Sequence, residues 1–271
     1  MSRLSVLAAA VLLTSTVAWA QDAGPAPAEP PNPADAKPVE AVKPASPKLS
    51  AAEILAKMEA LNNGFADQKM EIRITVFEVD GSKKSYDMTM FQKGDKKRLV
   101  QFTSGEMKGM STLVEDRNTV HVYLPGFKKV RRVAAHNMNQ SLAGSDLSSE
   151  DMAQVSWAAD WNVSLEKEDD TSYWLLLTPK SAESTYSKVQ HRVDKKTFAQ
   201  QETHYFNKAG EEVKRFVNTE FTDFHGVMRN KKITVSDPRT GHKTEMEIRD
   251  FVVNQGLKDD LFTVRSLQWG K

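Results

Sequence analysis

The sequence predicts a mainly β protein, an incomplete, half-open antiparallel β-barrel of about eleven strands with covering or plug helices. Three observations lead there: one helical period confined to residues 50–62, repeated two-residue alternation from Met70 to Ile248, and short connections rich in turn residues. Short connections impose antiparallel neighbours, because a parallel pair needs a crossover of about a dozen residues or more. A sheet of that many strands has to curl, split or close.

At the amino terminus, Arg3 precedes an apolar run over residues 4–17, and Ala18-Trp19-Ala20 supplies the small residues a signal peptidase requires. Residues 1–20 are therefore expected to be a signal peptide cleaved near Ala20. The run is too short for a span of roughly 20 strongly apolar residues. Residues 21–48 hold eight of the eleven prolines, together with alanine and charge, and read as an extended linker. The chain has no cysteine, which excludes a lipobox, a disulfide and a thiolate metal site. A periplasmic protein without a lipid anchor is the expected product, with residues 49–271 as one β domain.

Ser50 and Glu53 form an S-x-x-E capping box. Ile54, Leu55, Met58 and Leu61 then share a helical face, and Asn62-Asn63-Gly64 supplies a stop. Next, Met70, Ile72, Ile74 and Val76 alternate with polar residues up to an Asp80-Gly81 turn. A second strand carries Tyr86, Met88 and Met90. Period-two runs recur at residues 97–103, 111–114, 119–124, 161–166, 173–178, 186–193, 199–206, 212–218, 228–235 and 242–248. An apolar helix stripe followed only by sheet implies that the helix packs on the sheet or plugs its open end.

Alternation assigns Met88, Met90, Phe102, Met110, Leu113, Val122, Leu124, Leu176, Ile233, Val235 and Met246 to the interior, the candidate lining of a lipid cavity. Methionine suits such a lining because its unbranched thioether adapts to variable apolar partners. Residues 173–177 and 215–217 are apolar on both faces, so the inward face stays undecided there. An outer-membrane barrel is disfavoured by charged outer faces and by an aromatic content of 8%.

Net charge is +1 with both signs interspersed, which leaves no electrostatic footprint for nucleic acid. The six histidines lack metal-ligand spacing and read as surface residues. There is no G-x-S-x-G elbow and no glycine-rich phosphate loop, so no enzyme activity, cofactor or metal is expected. The acidic residues 166–170 read as a solvated hairpin tip. Lys128, Lys129, Arg131 and Arg132 follow a strand end, on a loop or edge strand, where charge either protects the edge or meets a partner. Gly144, Ser145 and Asp146 form a tight turn, and the Ser148–Asp151 box with Glu150 starts a short helix; capping alone accounts for these polar residues, and docking is the other reading.

The block VYLPGFKKVRR, the motif GSDLSSEDM and the late LFTVRSL together resemble the outer-membrane lipoprotein-sorting protein family, the LolA-like branch, over residues 49–271. Gly144, Ser145, Asp146, Glu150 and Asp151 match its motif. Leu147 and Ser149 stand where the family has aromatics, which removes the family as grounds for a ligand role at those two positions. The resemblance implies a LolA/LolB-like incomplete barrel with helices closing its mouth, and a cavity sheltering lipoprotein acyl chains. It also implies an inner-membrane transporter and an outer-membrane acceptor as partners. The expected function is a monomeric periplasmic carrier of lipoprotein or other lipidic cargo toward the outer membrane, with residues 50–62 and 135–152 closing the cavity. The alternative is a non-carrier adaptor of an RND-type envelope transporter.

Overall fold

A computed structural model describes residues 48–142 and 144–268; the expected signal peptide, and the expected linker apart from Lys48, lie outside the described residues. Helix α1 (Ala51–Asn63) begins as the capping box requires. The Ser50 hydroxyl accepts from the Glu53 amide at 3.3 Å, and the Glu53 carboxylate accepts from the Ser50 amide at 2.8 Å. Reciprocal capping satisfies two amides that the first helical turn leaves without partners. At the other end the Gly64 amide donates to the Ala60 carbonyl, and a Cβ on Gly64 would lie 2.4 Å from that oxygen. The glycine is there for close approach, since its φ of −74° is ordinary.

The strands are β1 (Asp67–Phe77), β2 (Lys83–Lys93), β3 (Lys97–Phe102), β4 (Ser111–Asp116), β5 (Thr119–Leu124), β6 (Lys129–Arg132), β7 (Trp161–Glu168), β8 (Ser172–Pro179), β9 (Lys188–Asp194), β10 (Gln200–Phe206), β11 (Glu212–Phe224), β12 (Val227–Ser236) and β13 (Lys243–Val253). They form one antiparallel sheet in the order β6-β5-β4-β3-β2-β1-β13-β12-β11-β10-β9-β8-β7. Two meanders therefore meet where β1 pairs β13, and the sheet is not closed, because β6 and β7 remain its edges. Thirteen strands replace the expected eleven or so; the basic segment Lys129–Arg132 is an edge strand in its own right. Exposed charged side chains on β6 and β7 guard both edges against pairing with another chain.

Alternation in β1 buries Met70, Ile72, Ile74 and Val76. Register sets these beside Met90, Met88 and Tyr86 of β2 on one flank. Phe251, Ile248 and Met246 of β13 lie on the other, across a bulge at Glu71/Ile72. Cross-strand apolar rows of this kind are what hold a sheet in one register, since a slip by one residue would turn every side chain to the opposite face. These rows are the centre of the largest core cluster. A second cluster joins Ile54, Leu55 and Met58 of α1 to Trp157, Trp161, Leu175, Leu177, Val189 and Tyr205, so the helix covers the sheet near β7–β10. A third, on the opposite face, packs Leu99, Leu113 and Tyr123 beneath Phe262 and Leu267 of the carboxy-terminal segment.

That segment is tied back by Asp67, which is buried and whose carboxylate accepts the amides of Gln255, Gly256 and Leu257 at 2.7, 2.8 and 3.0 Å. No helix among the described residues is long and apolar enough to cross a membrane.

Two interior assignments need correction. Leu113 belongs to the third cluster rather than to the cavity side, because β4 is covered on both faces and its Ser-Thr-Leu-Val run carries no alternation to read. Leu176 is half-buried and pairs in register with Ser164 and Gln190, while Leu175 and Leu177 take the buried face. The histidines also divide: His191 and His204 are buried within the sheet rather than at the surface.

Candidate functional site

The chain after β6 turns back under the sheet and supplies the site's cover. Gly144 takes φ +73°, the left-handed region open to glycine, and lets the chain double back there. The Ser141 hydroxyl donates to the Ser145 carbonyl, and the Leu142 amide to the Leu147 carbonyl at 2.7 Å. Asp146 is then fixed from outside: its carboxylate accepts from the Thr244 hydroxyl at 2.8 Å and pairs with His242 at 2.9 Å, while its amide donates to Thr244 Oγ1. The next residue, Leu147, drops into the core with 2% of its surface exposed.

Helix α2 (Ser149–Ala153) follows, with Ser148 and Asp151 forming a second reciprocal capping box. The Asp151 carboxylate also takes an ion pair from Lys214 of β11, and both side chains are largely buried. Glu150 meets Arg117 at 3.2 Å; burial nevertheless raises its carboxyl above the usual range, opposed by a Thr185 hydrogen bond and the Arg117 charge. Helix α3 (Trp157–Asp160) starts where the Ser156 hydroxyl accepts the Ala159 amide and the Glu59 carboxylate of α1 accepts the Trp157 amide. Glu59 thereby links α1 to α3.

Between α1, α2 and the sheet lies a cavity of about 210 Å³. Its apolar wall includes Met70, Ile72, Met88, Met90, Leu147, Met152, Ile233, Met246 and Ile248, and its polar rim includes Glu59, Asn62, Asn63, Gln154, Gln200, Asn218 and Asn230. Of the residues assigned to the interior, Met88, Met90, Ile233 and Met246 line this cavity. Phe102, Met110 and Val235 are buried in the adjoining core, with Val122 and Leu124 packed against it, and none of these five reaches the cavity.

The rim-and-lid candidates divide as well. Ser145 and Glu150 are buried under the sheet, and Asp151, half-buried as a residue with its side chain 5% exposed, lines the cavity. Lys128, Lys129, Arg131 and Arg132 lie on and beside edge strand β6; Arg131 stacks over Phe127 and Arg132 donates to the Asn118 carbonyl. None of these four lines the cavity. Arg132 instead borders a separate cleft of about 740 Å³ with Arg117, Asp160 and Lys180.

Sequence reasoning set Leu147 aside and passed over Trp157 and the two cavity arginines Arg98 and Arg229. Arg98 carried a readable signal, because it sits two and four residues before inward-facing Val100 and Phe102. No comparable local signal marks Leu147, whose position depends on the contacts of Asp146 with a strand 98 residues away.

His191 lies beside the cavity wall, fully buried, with Nδ1 2.9 Å from Thr203 Oγ1 and its ring edge-on to Trp157 at 4.4 Å. Burial, with a smaller contribution from His204, depresses its pKa to about 3. The folded protein therefore holds it neutral, whereas an unfolded chain protonates it near 6.5. Its stabilising effect is complete above about pH 6.5 and is lost as pH falls toward 3. Lowering pH from 7 to 5 should cost about 2 kcal/mol through this residue. Urea unfolding at both pH values should show a smaller loss for His191→Gln than for wild type; equal losses would show that His191 is not the group responsible.

An open antiparallel sheet covered by short helices over a cavity is a fold this chain shares with solved structures, among them a LolA superfamily protein and a domain named for outer-membrane lipoprotein sorting. A crystal structure of a domain assigned to outer-membrane lipoprotein sorting, from Vibrio parahaemolyticus, matches with a TM-score of 0.74 at 19% identity, covering 80% of this chain and 98% of that one. A LolA superfamily protein from Nitrosomonas europaea matches with a TM-score of 0.70 at 22% identity, covering 81% and 100%. A protein of a domain family of unknown function, from Desulfovibrio piger, matches with a TM-score of 0.74 at 22% identity, covering 80% and 97%. At these identities the likeness is one of fold. By sequence, a family model described as an uncharacterized protein matches residues 94–269, and the chain belongs to that family. No curated protein matches significantly.

Proposed function

We propose that the protein is a periplasmic carrier that shelters the acyl part of a lipoprotein or another lipidic cargo on its way toward the outer membrane, without chemistry on that cargo. The observation that carries this reading is the methionine-rich cavity beneath α1 and α2. Exposing an acyl chain to water costs about 0.8 kcal/mol per CH₂, so a chain of roughly fifteen carbons resists crossing an aqueous space by on the order of 10 kcal/mol. A cavity lined by Met70, Met88, Met90, Met152 and Met246 removes that cost while adapting to chains of different shape. About 210 Å³ lies below the roughly 300–1,000 Å³ typical of ligand pockets. A multiply acylated cargo therefore requires α1 and α2 to move outward, and a carrier has to open in order to release.

Purification from a native periplasm followed by mass spectrometry of extracted lipids tests the reading directly. Recovered stoichiometric lipid is the expected result, and lipid-free protein that also fails to take up an acylated peptide would overturn it. Met246→Trp should fill part of the cavity and weaken uptake of a fluorescent acyl probe about tenfold or more, with stability changed by about 1–3 kcal/mol from overpacking.

The exposed basic residues of β6 favour one other reading, an adaptor docked on an envelope transporter. Charge reversal at Lys128, Lys129, Arg131 and Arg132 separates the two, since an adaptor should lose its partner and a carrier should keep its lipid.

A further inference from the structure

Two arginines stand in the wall of the cavity without an acidic partner. Arg98 of β3 donates through Nε and Nη2 to the Gln92 side-chain oxygen at 3.1 and 2.8 Å, and through Nη1 to the Met152 carbonyl at 2.7 Å. Arg229 of β12 donates through Nη1 to the Asn62 carbonyl at 3.1 Å, and its guanidinium lies over the Phe251 ring at 4.6 Å. Every acceptor is neutral. Neither arginine forms an ion pair among the described residues, and each keeps part of its surface while lining the cavity.

Two carboxylates share the cavity without reaching either arginine. Asp151 is ion-paired with Lys214 through Oδ2, which also accepts from Ser148, and leaves Oδ1 without a hydrogen-bond partner among the described residues. Glu59 is bonded there only to neutral amides, those of Trp157 and Ala158. Burial holds both guanidinium groups down at about 10, and the Arg229 charge adds to the effect on Arg98. Two positive charges that repel one another in a partly buried cavity favour an anion that joins them. Both guanidiniums also keep spare donors. Arg98 uses three of the five N–H groups an arginine carries, and Arg229 uses one.

We propose that the cavity takes an anionic amphiphile, its carboxylate or phosphate head held between Arg98 and Arg229 and its tail lying against Met70, Met88, Met90 and Met246. The inference rests on the carrier reading and narrows it to a class of cargo. A planar guanidinium pairs with either head in the same two-pronged way, which is why the shared chemistry is an oxyanion and not one particular lipid. At about 210 Å³ the cavity has room for part of a single tail and still less for a polypeptide bearing several chains, so the rest of a long tail extends past the rim.

Titration calorimetry on delipidated wild-type protein with laurate, dodecyl phosphate, 1-dodecanol and inorganic phosphate tests this, each amphiphile kept below its micelle concentration. At least one of the two anionic amphiphiles should bind about tenfold or more tighter than the alcohol. Which of them does so identifies the head, and inorganic phosphate alone should bind far more weakly. Arg229→Gln should abolish the preference while leaving dodecanol binding in place. Arg98→Lys keeps the charge and a donor toward the Met152 carbonyl, and should keep most of the preference. Dodecanol binding as tightly as both anions would overturn the inference and leave the carrier reading standing. Inorganic phosphate binding as tightly as dodecyl phosphate would also overturn it, since the site would then recognise an anion without its tail. Absence of binding by every amphiphile would overturn the carrier reading itself.

Discussion

Replacing Lys214 with Met is expected to destabilise the protein by about 3–5 kcal/mol, the usual cost of removing one partner from a buried ion pair. Lys214 and Asp151 expose only 12% and 5% of their side chains. Without the ammonium, Asp151 keeps its capping contacts with Ser148, but a side chain only 5% exposed gains little hydration to replace the lost charge partner. Because Asp151 belongs to α2, the loss falls on the cover of the cavity more than on the sheet. Urea unfolding measures the total, and hydrogen exchange at α2 should rise more than exchange in β1 or β13. A double variant with Asp151→Asn should be less unstable than the two single changes added together, since the uncompensated charge is gone. Strict additivity would show that the pair is not coupled.

Trp157→Ala is expected to cost about 3–5 kcal/mol, in the range for truncating a large buried aromatic. The ring meets Trp161 at 5.8 Å, His191 at 4.4 Å and Tyr205 at 6.2 Å, and it packs in the cluster that anchors α1. It also forms part of the cavity wall, so the truncated site opens into existing empty space. Stability and capacity should therefore move in opposite directions, with thermal unfolding occurring several degrees lower and a bulky apolar probe binding more tightly. Trp157→Phe should lose less stability and gain less binding. A variant that kept wild-type stability would mean that the surrounding rings close over the void.

Much of the architecture is written in local signals. The capping box at Ser50 and Glu53 specifies where α1 begins without reference to anything distant, and β1 carries its burial pattern in four alternating apolar residues. The site is less legible because it depends on which face is covered. Leu113 and Leu176 sit in runs that are apolar in succession, and only the carboxy-terminal segment over β4 and the register of β8 with β9 decide their sides. Leu147, discounted because it replaces an aromatic in a motif, lines the cavity through backbone geometry set by Asp146 and Thr244. Arg98 and Arg229 were overlooked because charge in a strand is ordinarily taken to face water; their surroundings come from strands far apart in sequence.

The junction of the two meanders has a consequence for how the protein is made. Asp67, at the start of β1, meets Gln255 across 188 residues of chain. As the polypeptide emerges amino terminus first, β1 through β6 can zip together by near-neighbour turns, whereas the outer flank of β1 has to wait for almost the last segment. Until then an eleven-residue strand with one apolar face, Met70, Ile72, Ile74 and Val76, stands with its hydrogen-bonding groups open, a template for association with other nascent chains. Slow folding is the expected consequence of this connectivity. A circular permutant that joins the carboxy-terminal segment to α1, bringing β13 and β1 close in sequence, should fold faster, with the same final sheet.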